Sequence, residues 1–191
     1  VSLPRRLLAA PPVAVTLSQF PRILKSVYAG TPLGLGPGAS RFSSPSGAFK
    51  VLYAAERFET ALAEAVIRDR FVARQRRYIG RSTLTARAVT LIDTNSVLSL
   101  FDARGEKAYS LGVATDAVRA QIHSEGQDFS EQLHAETGVD GILYDSRLTG
   151  GLCVALYDRA IGKLMASPAI DLIRHAGLLP ELQRLSIVVR R

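Results

Sequence analysis

One cysteine, one methionine and no tryptophan occur among 191 residues. A lone Cys153 excludes a disulfide framework within the chain and a thiolate zinc site. In the apolar run Leu152-Cys153-Val154-Ala155-Leu156 it reads as a small buried hydrophobe, and the scarcity of cysteine fits a reducing cytoplasm. No stretch approaches the roughly 18 to 20 apolar residues that a membrane-spanning helix needs. Arg5-Arg6 followed by Leu7-Leu8-Ala9-Ala10 imitates the start of an export signal, but Pro11-Pro12 cuts the apolar run short, so a soluble, unexported protein is expected. The three histidines, His123, His134 and His175, lack the H-E-x-x-H and H-x-E spacings, and no G-x-S-x-G elbow occurs. Zincin, deaminase and α/β-hydrolase chemistry are thereby set aside. Acidic residues are outnumbered, 17 against 24 basic, which leaves a net charge of +7. That balance suits an anionic ligand: nucleic acid, a dinucleotide or an acidic protein.

What remains is ordinary globular composition, 47% hydrophobic and 21% charged, in a length that suits one domain. Residues 1–40 carry Pro4, Pro11, Pro12, Pro21, Pro32 and Pro37, leaving room only for short elements, and read as an arm packed on a domain spanning 41–191. Residues 51–55 and 88–92 read as strands, and 58–70 as a helix with Phe58, Ala61, Leu62, Ala65 and Val66 on one face. Thr115 is placed to cap a helix through Ile122, and Asp128 with Glu131 has capping-box spacing for another that stops near Gly138. Strands at 141–144 and 152–157 are joined by a polar connection of hairpin composition. A helix over 169–176 stopped by Gly177 and an edge strand at 187–189 complete the reading. Strands and helices without strict alternation favour α+β over a doubly wound sheet.

Four side chains stand out, each with two readings. Arg41, after the glycine-rich stretch 34–38, is a surface arginine or a fork for phosphate oxygens. Tyr53 is a core tyrosine or an aromatic platform for a planar ring. Glu64 lies off the apolar centre of its helix, on the flank with Thr60, Ile67 and Arg68, and is either a carboxylate paired with Arg68 or one facing a cleft. Ser146 is a turn residue or a hydroxyl presented by a functional loop. The basic stretch from Arg68 to Arg81 is a solvated surface, or a contact for nucleic acid, a partner or phosphate.

Taken together and in order, Ser40-Arg41-Phe42, Val51-Leu52-Tyr53-Ala54-Ala55, Glu59-Thr60-Ala61-Leu62-Ala63-Glu64 and Asp140-Gly141-Ile142-Leu143-Tyr144-Asp145-Ser146-Arg147 resemble the RES (Arg-Glu-Ser) domain family of bacterial NAD⁺-degrading toxins. On that resemblance Arg41, Tyr53, Glu64 and Ser146 match the family's catalytic and substrate-binding set. Many members carry a tryptophan on the helix before the last block, where this chain has Leu133 or His134, and the resemblance fades after about Pro168.

The resemblance implies an ADP-ribosyltransferase-like α+β fold, with two small mixed sheets forming a cleft surrounded by helices. It implies an NAD⁺ phosphorylase or glycohydrolase that cuts the nicotinamide–ribose bond with phosphate or water as acceptor. No metal and no resident cofactor follow, because NAD⁺ and inorganic phosphate are substrates. It further implies a cytoplasmic toxin–antitoxin system, with an Xre-like antitoxin blocking the cleft, nucleic acid met only through that antitoxin, and room for a homodimer in the larger assembly. Two other readings stay open: an ADP-ribosyltransferase that modifies a protein, and a basic nucleic-acid-binding module without activity.

Overall fold

Val51-Leu52-Tyr53-Ala54-Ala55 puts alternate side chains on opposite faces, and both faces are covered. Leu52 and Ala54 enter one apolar cluster, while Ala55, with Val51 and Tyr53 packed beside it, belongs to another. A strand buried on both sides has to sit inside a layered molecule. In a computed structural model, which describes residues 3–36, 38–111, 113 and 123–191, it lies at the seam between two sheets.

The strands run in chain order as β1 (Val13–Val15), β2 (Phe20–Lys25), β3 (Val51–Ala55), β4 (Tyr78–Gly80), β5 (Arg87–Thr94) and β6 (Leu98–Asp102), then β7 (Gly141–Asp145), β8 (Leu152–Tyr157), β9 (Leu164–Ala166), β10 (Ile170–Asp171) and β11 (Val188–Arg190). The described helices are α1 (Arg5–Leu8), α2 (Phe58–Leu62), α3 (Arg81–Thr85), α4 (Gly105–Ser110), α5 (Ser124–Glu136) and α6 (Leu178–Arg184). One sheet has the order β1-β6-β7-β8-β3 and is mixed, with β6 and β7 parallel. A second has β10-β5-β2, with β9 also on β5, and is antiparallel throughout; β4 and β11 form a parallel pair. The fold is α+β.

Residues 1–40 supply an edge strand to each main sheet, β1 and β2. Pro21 lies in β2, where an edge position has no neighbour on one side to receive the missing N–H. The expected strands at 51–55, 88–92, 141–144, 152–157 and 187–189 fall on β3, β5, β7, β8 and β11. Three helix readings change. The helix expected over 58–70 is α-helical only to Leu62 and continues as a π turn, Ala63–Ile67. The long helix α5 begins at Ser124, upstream of the proposed cap at Asp128, and Glu131 bonds to a loop instead of closing a capping box. Residues 169–176 hold β10 and a 3₁₀ turn, Leu172–Arg174, because Ile170 and Asp171 pair with Val89 and Ala88 of β5; Gly177 precedes α6 instead of ending a helix. The helix expected from Thr115 to Ile122, and Pro37 in the glycine-rich stretch, lie outside the described residues.

Three apolar clusters hold the layers together. Phe42, Phe49, Phe101, Phe129, Leu133 and Tyr157 fill the side of the mixed sheet under α5. Leu52, Leu98, Leu100, Leu143, Val154 and Leu156 fill its other side. Leu62, Val66, Ile79, Leu84, Leu172 and Leu182 join α2 and its π turn to α3, α6 and the C-terminal segment. Burying a side chain of this size contributes roughly 1.5–3 kcal/mol, and the β2 and β3 edges of the two main sheets lie against each other.

Candidate active site

A cleft of about 470 Å³ opens where β2, β3, the end of α2 and the β7–β8 turn converge. Its volume is within the range typical of small-molecule sites. Arg41, Tyr53 and Glu64 line it, so three of the four side chains singled out in the sequence meet there. Ser146 is 3% exposed and reaches the cleft through Glu64.

Glu64 lies within the π turn that follows α2. The N–H of Arg68 donates to the carbonyl of Ala63 at 2.7 Å, a bond spanning five residues, and Arg68 then takes a left-handed φ of 48° that ends the helix. Glu64, the second residue of the turn, is half-buried beside the cleft. Ser146 Oγ donates to Glu64 Oε1 at 2.6 Å, and no ion pair joins Glu64 to Arg68 among the described residues. Ser146 Oγ also accepts the N–H groups of Leu148 and Thr149, at 3.1 and 3.2 Å. Its hydroxyl therefore joins the Glu64 carboxylate to the backbone of the β7–β8 turn.

The β7–β8 turn can bring Ser146 to α2 because its glycines allow it. Gly150 has a φ of +69°, and a Cβ on Gly151 would run into Thr60 Oγ1 on α2. Thr60 and Thr149 hydroxyls meet at 3.0 Å across the same contact. Arg147, next in the turn, pairs with Asp69 at 2.6 Å, tying the turn to the residues just past the π turn.

The loop carrying Arg41 is held at its next residue. Phe42 is fully buried; its N–H donates to Tyr53 Oη at 2.9 Å and its carbonyl accepts Ser130 Oγ at 2.8 Å. Its ring meets Tyr144 edge-on, 5.0 Å between centroids. Helix α5 continues the clamp: Gln127 donates to the Ser40 carbonyl at 3.1 Å, and Glu131 accepts Ser44 Oγ at 2.6 Å together with the Ser46 hydroxyl. The hydrogen bonds from Ser44 and Ser46 hold the Glu131 carboxyl below its ordinary value. Tyr53 thus keeps its hydroxyl on the backbone while its ring lines the cleft; burial pushes its phenol up to about 12 despite the donor from Phe42.

The cleft is cationic. Arg22, Lys25, Arg41, Arg68, Arg87 and Arg147 line it against Glu64, Asp69 and Asp145. Burial pulls Arg22 down to about 10; its Nη2 donates to the Gly34 carbonyl at 2.8 Å, and its Nη1 is buried with no hydrogen-bond partner. Arg41 is lowered by burial, with Tyr144 and Glu64 opposing the shift. Cys153 lines the cleft as well, but burial, then the Glu64 charge, raises its thiol to about 12, so it stays neutral. The sequence reading missed Arg22, Lys25 and Arg87, which come from two paired strands, and the α5 residues, whose polar row looks like any solvent-facing stripe.

A family model described as the RES domain matches residues 19–176. Over 98 residues the chain is 38% identical to "Probable toxin y4kH" of Sinorhizobium fredii, covering 49% of this chain and 76% of that protein. A chain from "Crystal structure of the M.tuberculosis MbcT-MbcA toxin-antitoxin complex" has the same fold, with a TM-score of 0.63 over 89% of this chain and 93% of the other at 17% identity.

Proposed function

Since the chain belongs to the RES domain family, we propose that it is the toxin of a toxin–antitoxin pair and that it degrades NAD⁺ by cutting the bond between nicotinamide and ribose. The observation that carries this reading is the Glu64 carboxylate, held by Ser146 at 2.6 Å in a cleft where cations outnumber carboxylates. NAD⁺ needs that combination: cationic groups for its pyrophosphate, and one negative charge beside the ribose carbon that becomes positive as the bond breaks.

Nicotinamide leaves with the electron pair of its C1′–N bond and becomes neutral, so no general acid is required. Glu64 stabilises the positive charge developing on the ribose, a preorganised electrostatic contribution of the kind that costs no reorganisation during the reaction. Arg41 and Arg22 bind the pyrophosphate, and the Tyr53 ring packs against the nicotinamide. An oxygen of phosphate or water then bonds to C1′, and water gives up a proton to solvent. Ser146 is a positioning residue, acting through Glu64. Likeness in fold to a chain of the MbcT–MbcA toxin–antitoxin complex supports an antitoxin partner; we assign to that partner an Xre-like domain that blocks the cleft, and to the pair a cytoplasmic setting. No helix among the described residues is long and apolar enough to cross a membrane.

The test is NAD⁺ loss by purified protein, wild type beside Glu64→Gln, with and without inorganic phosphate and with products identified by mass spectrometry. Turnover should fall by at least 100-fold in the variant, about 2.7 kcal/mol of transition-state stabilisation. ADP-ribose 1″-phosphate would identify a phosphorylase and free ADP-ribose a glycohydrolase. An intact NAD⁺ pool with wild-type protein, or ADP-ribose attached to a protein, would sink the reading.

A further inference from the structure

Lys25 and Arg87 are directly opposed partners in the antiparallel β2–β5 register. Opposed residues have Cβ atoms about 4.5–5.5 Å apart, and like charges there repel. Lys25 is exposed, Arg87 is half-buried, and both line the cleft. Neither forms an ion pair among the described residues, although Asp and Glu side chains pair with cations elsewhere in the fold. A repulsive pair at the wall of a ligand-sized cleft weakens the sheet, and an anion bound between the two cations would offset that cost. The balance of the lining agrees, because the six cations exceed the three carboxylates even after Arg147 is matched to Asp69.

We propose that Lys25 and Arg87 form a phosphoryl-binding subsite, separate from the Arg41–Glu64 end of the cleft. A tetrahedral dianion fits such a pair, since the guanidinium offers a two-pronged contact and the ammonium a point charge to the remaining oxygens. The phosphoryl group has two sources: a phosphate carried by the substrate beyond its pyrophosphate, as on the 2′-position of a phosphorylated dinucleotide, or free inorganic phosphate bound as acceptor. The identity of the ligand rests on the dinucleotide reading above; binding itself does not.

Binding is therefore measured by calorimetry without turnover, on the full chain, with three probes: adenosine 2′,5′-bisphosphate, AMP and inorganic phosphate. A substrate-borne phosphate predicts that the bisphosphate binds wild type at least tenfold more tightly than AMP and that Lys25→Gln with Arg87→Gln levels the two. A free-phosphate site predicts equal binding of the two nucleotides and at least tenfold weaker inorganic phosphate in the double variant. Failure of the bisphosphate and of inorganic phosphate to bind wild type, or unchanged affinities in the double variant, overturns the subsite. Lys25→Glu is the second arm: it places opposite charges across the register, so the melting temperature should rise while phosphoryl binding is lost. A melting temperature that stays level or drops removes the repulsion from which the subsite was inferred. Wild-type protein that binds phosphoryl probes yet leaves NAD⁺ intact would retain the subsite and discard the NAD⁺ reading.

Discussion

Ser146→Ala tests how the carboxylate is held. The hydroxyl makes three bonds: it donates to Glu64 at 2.6 Å and accepts Leu148 and Thr149 N–H at 3.1 and 3.2 Å. A hydrogen bond to a charged group contributes about 1.5–3 kcal/mol, and an amide left without a partner costs about 1–3 kcal/mol when fully buried, less here because Thr149 is exposed and water can reach it. A loss of about 2–4 kcal/mol follows, which for a chain of this size lowers the melting temperature by roughly 5–15 °C. Urea unfolding followed by circular dichroism gives the free energy, and NAD⁺ turnover measured well below the variant's transition gives the second readout. With Glu64 free to rotate, turnover should drop at least tenfold with little change in KM, because a misaimed Glu64 loses its hold on charge that develops only in the transition state. Unfolding free energy within about 0.5 kcal/mol of wild type, combined with full turnover, would show that Ser146 does not set Glu64.

Other consequences follow from the same geometry. Gly151→Ala drives a methyl group into Thr60 Oγ1 and should cost about 1–3 kcal/mol; Thr60→Ala in the same chain should recover more than half of it, and additive losses in the cycle would refute the clash. Cys153, with its thiol raised to about 12 and 2% exposed, should resist iodoacetamide at pH 8 until the chain is unfolded, and rapid labelling of native protein would contradict its burial. His175 stacks on Phe58 at 3.9 Å, and burial lowers its ring below the ordinary histidine value. The unfolded chain then binds the proton more readily, so this stabilisation is complete above about pH 6.5 and is lost as pH falls toward the folded value. His175→Asn should flatten the acid-side drop in melting temperature between pH 7 and pH 5; an unchanged drop would assign it to other groups.

The amino-acid sequence by itself determined much of this protein. Alternation at 51–55 and 152–157 specified strands, and the absence of cysteine partners and of particular histidine spacings set aside the zinc signatures those patterns define. Because Arg41, Tyr53 and Glu64 each sit in a short recognisable block, three of the cleft's side chains were legible before any fold was known. Tertiary structure decided the rest. Helical periodicity carries residues 58–70 forward as one helix, but the bond from Arg68 to Ala63 makes residues 63–67 a π turn that no periodicity encodes, and Glu64 lies within it. In the sequence Ser146 is one loop hydroxyl among several; the fold sets its Oγ 2.6 Å from Glu64 Oε1, in the turn that packs Gly151 against Thr60. Arg22, Lys25 and Arg87 are unremarkable in order, and only the β2–β5 pairing sets two of them face to face, because charge repulsion depends on distance in space and the chain records only distance along itself.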